Sequence, residues 1–199
     1  MEVHRQQQGE ERVHNATVKV QAGRYVKRSL SLIMKVVSTC NLACRYCDAD
    51  IYSNRRMSLD TLSQVITKAL NYADYVEFIW HGGEPLLMGI QFHEKAVELQ
   101  KRYKREGQTI VNTLQTNGTL ISQEWVDFFK ANDFHVGVSL DGAPEVQNAN
   151  RIFRNGQGSF EQVMRGVRLL RENGVEFGVL EIGRASVGKE CRSRWSPYH

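Results

Sequence analysis

Residues 30–47 read LSLIMKVVSTCNLACRYC. An eight-residue, largely apolar run passes directly into a loop holding Cys40, Cys44 and Cys47 at C-x3-C-x2-C spacing. The run has the length and residue types of a buried β-strand, and the loop occupies the end of that strand. The chain has four cysteines in 199 residues, so three of them stand within eight positions. Thiols clustered this way in a chain whose N-terminus, MEVHRQQQGEERVHN, carries no signal-peptide pattern point to a reducing, cytoplasmic setting. There they read as metal ligands or catalytic groups rather than as a disulfide framework.

Outward from this loop the chain alternates. Helical spacing of Leu59, Leu62, Val65, Ile66, Ala69 and Leu70 predicts a helix over 58–72. YVEFIW (75–80) reads as a strand ended by HGGEP, and 91–105 as an amphipathic helix with Phe92, Ala96, Val97 and Leu99 inward. TIVNTL (109–114) is a strand ended by QTNG, and Ser122 caps a short helix carrying Trp125, Phe128 and Phe129. FHVGV (134–138) is a strand ended by SLDG. Ser159 and Gln162 fit a capping box for a helix that stops at Gly174, and VEFGVL (175–180) opens a fifth strand. A further short strand is expected in ATVKVQ (16–21) of the polar lead, residues 1–28.

This βαβαβαβαβ order predicts an α/β fold with a parallel sheet and outer helices. In such folds chemistry gathers at the C-terminal ends of the strands. Four consecutive strands end here in unusual sequences: the cysteine triplet, His-Gly-Gly-Glu-Pro, Gln-Thr-Asn-Gly and Ser-Leu-Asp-Gly. The fold brings all four to one rim.

Composition excludes other classes. The chain is 41% hydrophobic and 24% charged, with a net charge of +4 and no basic block, which argues against a nucleic-acid partner. No apolar run reaches the roughly 20 residues of a membrane span. Three thiols admit three readings. A structural zinc site wants four ligands, for which His81 or a residue of the lead would have to serve. Buried structural cysteines are a second. A four-iron cluster held at three corners, with its fourth iron open, is the third.

The residues resemble the radical S-adenosylmethionine (SAM) enzymes, whose signature is C-x3-C-x2-C with an aromatic before the last cysteine, here Tyr46. CNLACRYC, WHGGEPLL, LQTNGTLI, VGVSLDG and the stretch from Asn150 to Phe177 follow one another as in the anaerobic sulfatase-maturating branch and its relatives with a cysteine-rich C-terminal domain. The resemblance spans about residues 30–180. It implies a (βα)6-type barrel, of which about five strands are present, with Cys40, Cys44 and Cys47 ligating a [4Fe-4S] cluster. It implies that Tyr46 contacts the adenine of SAM, that Gly83 offers backbone to the methionine amino group, and that Ser139 and Arg151 hold the methionine carboxylate. The implied chemistry is reductive cleavage of SAM to a 5′-deoxyadenosyl radical that abstracts hydrogen from a peptide or protein. The implied electron donor is a flavodoxin or ferredoxin. No catalytic acid or base is assigned.

Some positions keep two readings. Asn117 and Asp141 either shape the rim or serve as turn residues beside Gly118 and Gly142. Glu84 is a ligand contact or a carboxylate at a helix start. His81 is a substrate contact or a packed histidine; sulfatase-maturating enzymes usually carry glutamine there, and often a second aromatic where Asp48 stands. Residues 181–199, EIGRASVGKECRSRWSPYH, abandon all periodicity and resemble the conceptual translation of a sequencing adapter. Residues 29–180 are therefore expected to form an incomplete core, inactive alone, and 181–199 a non-native tail. The competing functions are a non-catalytic iron–sulfur electron carrier and a structural zinc module.

Overall fold

The computed structural model describes residues 27–181; the expected strand in ATVKVQ and nearly all of the tail lie outside them. Strands β1 (Ser29–Val37), β2 (Tyr75–Gly82), β3 (Thr109–Thr116), β4 (Phe134–Ser139) and β5 (Phe177–Leu180) form one parallel sheet in chain order. Helices α1 (Leu59–Tyr72), α2 (Ile90–Tyr103), α3 (Gln123–Ala131), α4 (Pro144–Asn150) and α5 (Phe160–Glu172) connect them. Parallel strands added always on the same side, through crossovers of one hand, keep every connection on one face. That is the construction of a barrel wall rather than of a doubly wound sheet.

The two faces of the sheet differ in chemistry. On the helix side Val76, Phe78 and Trp80 of β2 are fully buried, beside Met34 and Val36 of β1, Leu114 of β3 and Val136 and Val138 of β4. The opposite face is mixed: Ile33 stands exposed on it, while Ser31 Oγ donates to Glu77 Oε2 at 2.9 Å and Thr113 Oγ1 donates to Glu77 Oε1 at 3.1 Å. One carboxylate thus ties three adjacent strands together. Apolar burial holds the helical layer on, and the opposite face carries no helix among the described residues.

Helix starts follow the sequence in part. Ser58 and Ser122 accept hydrogen bonds from Thr61 N and Trp125 N, as N-caps should. The capping box at Ser159 does not form. Its hydroxyl is turned inward, donating to Arg151 O at 2.7 Å and accepting from Gln147 Nε2 at 3.0 Å. Asn148 Oδ1 accepts from Phe160 N instead. Leu59, placed on the inner helical face by spacing, is exposed because it sits at the first turn, outside the packed stripe. The strand expected at 175–180 begins at Phe177, because Val175 N is still bonded to Leu170 O in the turn that closes α5. Short α4 and the 3-10 turn Pro85–Met88 carry too little periodicity to be read from sequence.

Candidate active site at the strand ends

β1 does not run straight into the cysteine loop. Its pairing with β2 shifts between Lys35 and Val37, a bulge that redirects the strand end. Gly82 and Gly83 meet it there. Gly83 N donates to Val37 O at 2.7 Å and Glu84 N to Thr39 O at 3.0 Å. A Cβ on Gly83 would lie 2.1 Å from Thr39 O and 2.3 Å from Ser38 O. The bare Cα of Gly83 thus has a packing reason of its own: the entry to the cysteine loop lies directly against it.

The loop itself is pinned by residues 150–154, among which sequence reading gives a role only to Arg151. Ala43 N donates to Ile152 O, Arg45 N to Asn150 O, and Leu42 bridges Phe153. The Arg154 guanidinium reaches Cys40 O through Nε (3.2 Å) and Nη2 (3.0 Å), and Nη2 also reaches Ile51 O at 2.9 Å. Cys40, Leu42 and Ile51 form a small core of their own. Residues just after α4 therefore act as the mould in which the thiols are set.

Cys40, Cys44 and Cys47 are free thiols, respectively buried, half-buried and exposed. Burial pushes the Cys40 thiol up to about 11, and raises Cys44 against the opposing pull of Arg151. Such thiols stay protonated until something compensates the thiolate charge, as a metal does. Among the described residues no three His, Cys, Asp or Glu side chains are arranged around one metal-ion position. A cluster needs no such meeting point, because its three thiolates ligate three separate irons. Three soft thiol donors on one short loop fit an iron–sulfur cluster.

Beside the loop stands a charged group that is out of water. Arg151, at the C-terminal end of α4, is 5% exposed. Its Nε lies 3.1 Å from Asp141 Oδ1, close enough for an ion pair though not aligned as a hydrogen bond. Asp141 Oδ2 accepts from Tyr46 Oη at 2.6 Å, and the guanidinium carbon sits 5.4 Å from the Tyr46 ring centroid. Burial, then the bond to Asp141, raises the Tyr46 phenol above its ordinary range. Arg151 Nη2 is buried and has no hydrogen-bond partner among the described residues. A cation held in place by one carboxylate, with a donor left over, is built to receive a second anion.

The structure brings Tyr46 and Arg151 together through Asp141. Ser139, at the end of β4, is buried and accepts from Gln115 Nε2 at 3.0 Å, so its hydroxyl hydrogen remains available to an acceptor. Gln115 can lie across β4 because Gly137 has no side chain; a Cβ there would meet Gln115 Oε1 at 2.2 Å. Glu84 resolves to a carboxylate at a helix start, but with a wider task. It accepts from Leu86 N (3.1 Å), Thr116 Oγ1 (2.8 Å) and Asn117 N (2.7 Å), clasping the ends of β2 and β3. Burial pushes it up to about 7, opposed by those three bonds. His81 is a partly exposed neutral imidazole whose Nδ1 accepts from Gly82 N. Burial and Lys35 hold its titration below the ordinary value. A groove of about 530 Å³ on the helical layer, lined by Lys95, Glu98 and Lys101 among others, includes none of these residues.

Known proteins match this arrangement. The chain is 40% identical over 167 residues to the serine-type anaerobic sulfatase-maturating enzyme of Bacteroides thetaiotaomicron, covering 79% of this chain and 40% of that protein. It is 37% identical over 164 residues to the cysteine-type anaerobic sulfatase-maturating enzyme of Clostridium novyi, covering 78% and 44%. Among solved structures, native anSMEcpe with bound AdoMet and Kp18Cys peptide superimposes with a TM-score of 0.74 at 39% identity, over 77% of this chain and 43% of that one. The chain thus spans less than half the length of these relatives. Residues 34–183 match the family described as the Radical SAM superfamily, and with the thiol loop set at the rim of a one-handed parallel sheet, the chain belongs to that superfamily.

Proposed function

We propose that this chain carries the SAM-cleaving core, residues 29–180, of an enzyme that modifies a peptide or protein, in the manner of the sulfatase-maturating relatives. Cys40, Cys44 and Cys47 are assigned to a [4Fe-4S] cluster. When bound, the cluster and SAM together supply a carbon-centred radical able to abstract hydrogen from an unactivated C–H bond. The protein's own contribution is positioning. Arg151 Nη2 and the Ser139 hydroxyl are two donors suited to one carboxylate, that of the methionine part of SAM. Asp141 keeps the guanidinium in place, and the Tyr46 ring beside it offers a face to adenine. Gly83 contributes main chain at the same rim. The peptide substrate is supported by the likeness to a structure with bound peptide. The electron donor is assigned by class to a low-potential flavodoxin or ferredoxin.

The observation that carries this reading is the buried Arg151 guanidinium, with a spare donor, next to the thiol loop. Metal analysis after oxygen-free reconstitution with iron and sulfide tests it. The expected result is about four irons and four sulfides per chain. That content should be lost in Cys40→Ala, Cys44→Ala and Cys47→Ala. Zinc bound in preference to iron would replace the reading with a structural zinc module. A labelled peptide containing cysteine or serine should bind the SAM-loaded chain, read by fluorescence anisotropy; no binding would remove the peptide assignment and leave the cofactor assignment standing.

A further inference from the structure

Hydrogen bonds to sulfur in this site are unevenly shared. Cys40 Sγ accepts from Leu42 N at 3.4 Å and from Asn117 Nδ2 at 3.6 Å. Among the described residues, neither Cys44 Sγ nor Cys47 Sγ receives one from another residue. The Asn117 contact is held by a closed ring. Thr119 N donates to Asn117 Oδ1 at 3.0 Å, and Thr119 Oγ1 donates to the same oxygen at 2.7 Å. Asn117 Nδ2 donates to Asn41 Oδ1 at 2.8 Å, and Asn41 Nδ2 donates to Thr119 Oγ1 at 2.8 Å.

This ring decides which way the Asn117 amide faces. A backbone N–H can only donate, so the atom of Asn117 facing Thr119 N must be the oxygen. The amide nitrogen therefore points at the thiol loop. One of its hydrogens is committed to Asn41 and the other is directed at Cys40 Sγ. The backbone is fixed as well, because Asn117 N donates to buried Glu84. As a thiol, Cys40 lies 4.0 Å from Asn41 Oδ1. Ligation removes the thiol proton and leaves the sulfur an acceptor only, which strengthens the case for donors around it.

We propose that Asn117 is a positioning residue for the iron bound to Cys40, its amide N–H held on the ligand sulfur so that the cluster is easier to reduce. The inference rests on the cluster assignment above and goes beyond it. Donors on a ligand sulfur stabilise the electron density that reduction adds, and hydrogen bonds to the sulfurs are among the levers that set an iron–sulfur potential. The same ring couples the end of β3 to the loop after β1, so the sulfur is aimed by one strand end and donated to by another.

The test is a redox titration of the reconstituted full chain, followed by electron paramagnetic resonance. Asn117→Asp keeps the oxygen that serves Thr119 and removes the donor. Asn117→Leu removes both. Wild-type iron content with a midpoint potential shifted to more negative values in both variants is the expected result. An unchanged potential in variants that hold iron would overturn the proposal. Asn41→Ala, which leaves Asn117 in place but frees the hydrogen that fixes its aim, should give a smaller shift of the same sign. If the Asn117 variants take up no iron, that shift supports the proposal and its absence overturns it. Failure of the wild-type chain to take up iron contradicts the cluster assignment instead, and the metal analysis separates the two cases.

Discussion

At the scale of single residues, space and charge explain more of the rim than chemistry alone. Gly83→Ala would put a methyl group inside contact distance of two backbone carbonyls, and neither can rotate away. Its expected cost is about 1–3 kcal/mol, typical of overpacking, together with loss of iron uptake because the loop must move. Thermal unfolding and iron analysis read the two effects. Arg151→Lys should keep iron but lose affinity for SAM by tenfold or more, since an ammonium cannot span Asp141 and a second carboxylate as a guanidinium does. Equilibrium dialysis with labelled SAM measures it. Spacing draws attention to the three cysteines, and the family resemblance to Tyr46, Gly83, Ser139 and Arg151, whose ligand roles are proposals. The alliance of Tyr46, Asp141 and Arg151 is not legible, because its members are far apart in sequence and nothing local marks them as partners. Arg154 and the Asn41–Asn117–Thr119 ring are hidden for the same reason, and Asn117 and Thr119, on either side of Gly118, also have a sufficient turn explanation.

At the scale of elements, α2 carries an unexplained cost that a variant can expose. His93 is completely buried among Trp80, Phe92, Trp125 and Phe128, and neither ring nitrogen has a hydrogen-bond partner among the described residues. Burial holds its titration down at about 3. The unfolded chain takes up that proton near pH 6.5, so this group's stability is complete above pH 6.5. It is lost as pH falls toward 3, by about 1.4 kcal/mol per pH unit. His93→Phe should remove that share of the acid sensitivity and raise stability at pH 7 by about 1 kcal/mol. Denaturant unfolding at pH 7 and pH 5 tests both; an equal pH dependence in the two proteins would refute it. The main strands and long helices are readable because apolar spacing reports their burial directly. Helix α4 and the 3-10 turn are not, since one or two turns cannot show a period, and the capping box fails because Ser159 has a stronger use inside, between Gln147 and Arg151.

At the scale of the whole molecule, the fold's contribution is to make neighbours of strand ends that are dozens of residues apart. Sequential parallel order places the loops after β1, β2, β3 and β4 side by side, and Glu84 fastens two of them with two hydrogen bonds, its third capping Leu86 N in its own loop. Glu84→Gln turns an amide donor toward groups that also donate. Its expected cost is about 1–3 kcal/mol, read by denaturant unfolding. The alternation of strands and helices makes this architecture legible from the sequence, because a parallel sheet needs a crossover between every pair of strands. No helix among the described residues is long and apolar enough to cross a membrane. The central claim is that three loop thiols and a buried guanidinium jointly serve one cofactor pair. Its most direct test is the electron paramagnetic resonance spectrum of the reduced, reconstituted chain, recorded before and after adding SAM. The account predicts a cluster signal that changes on addition in the wild type and does not change in Arg151→Met. A signal indifferent to SAM in the wild type would make the chain an electron carrier and contradict the account.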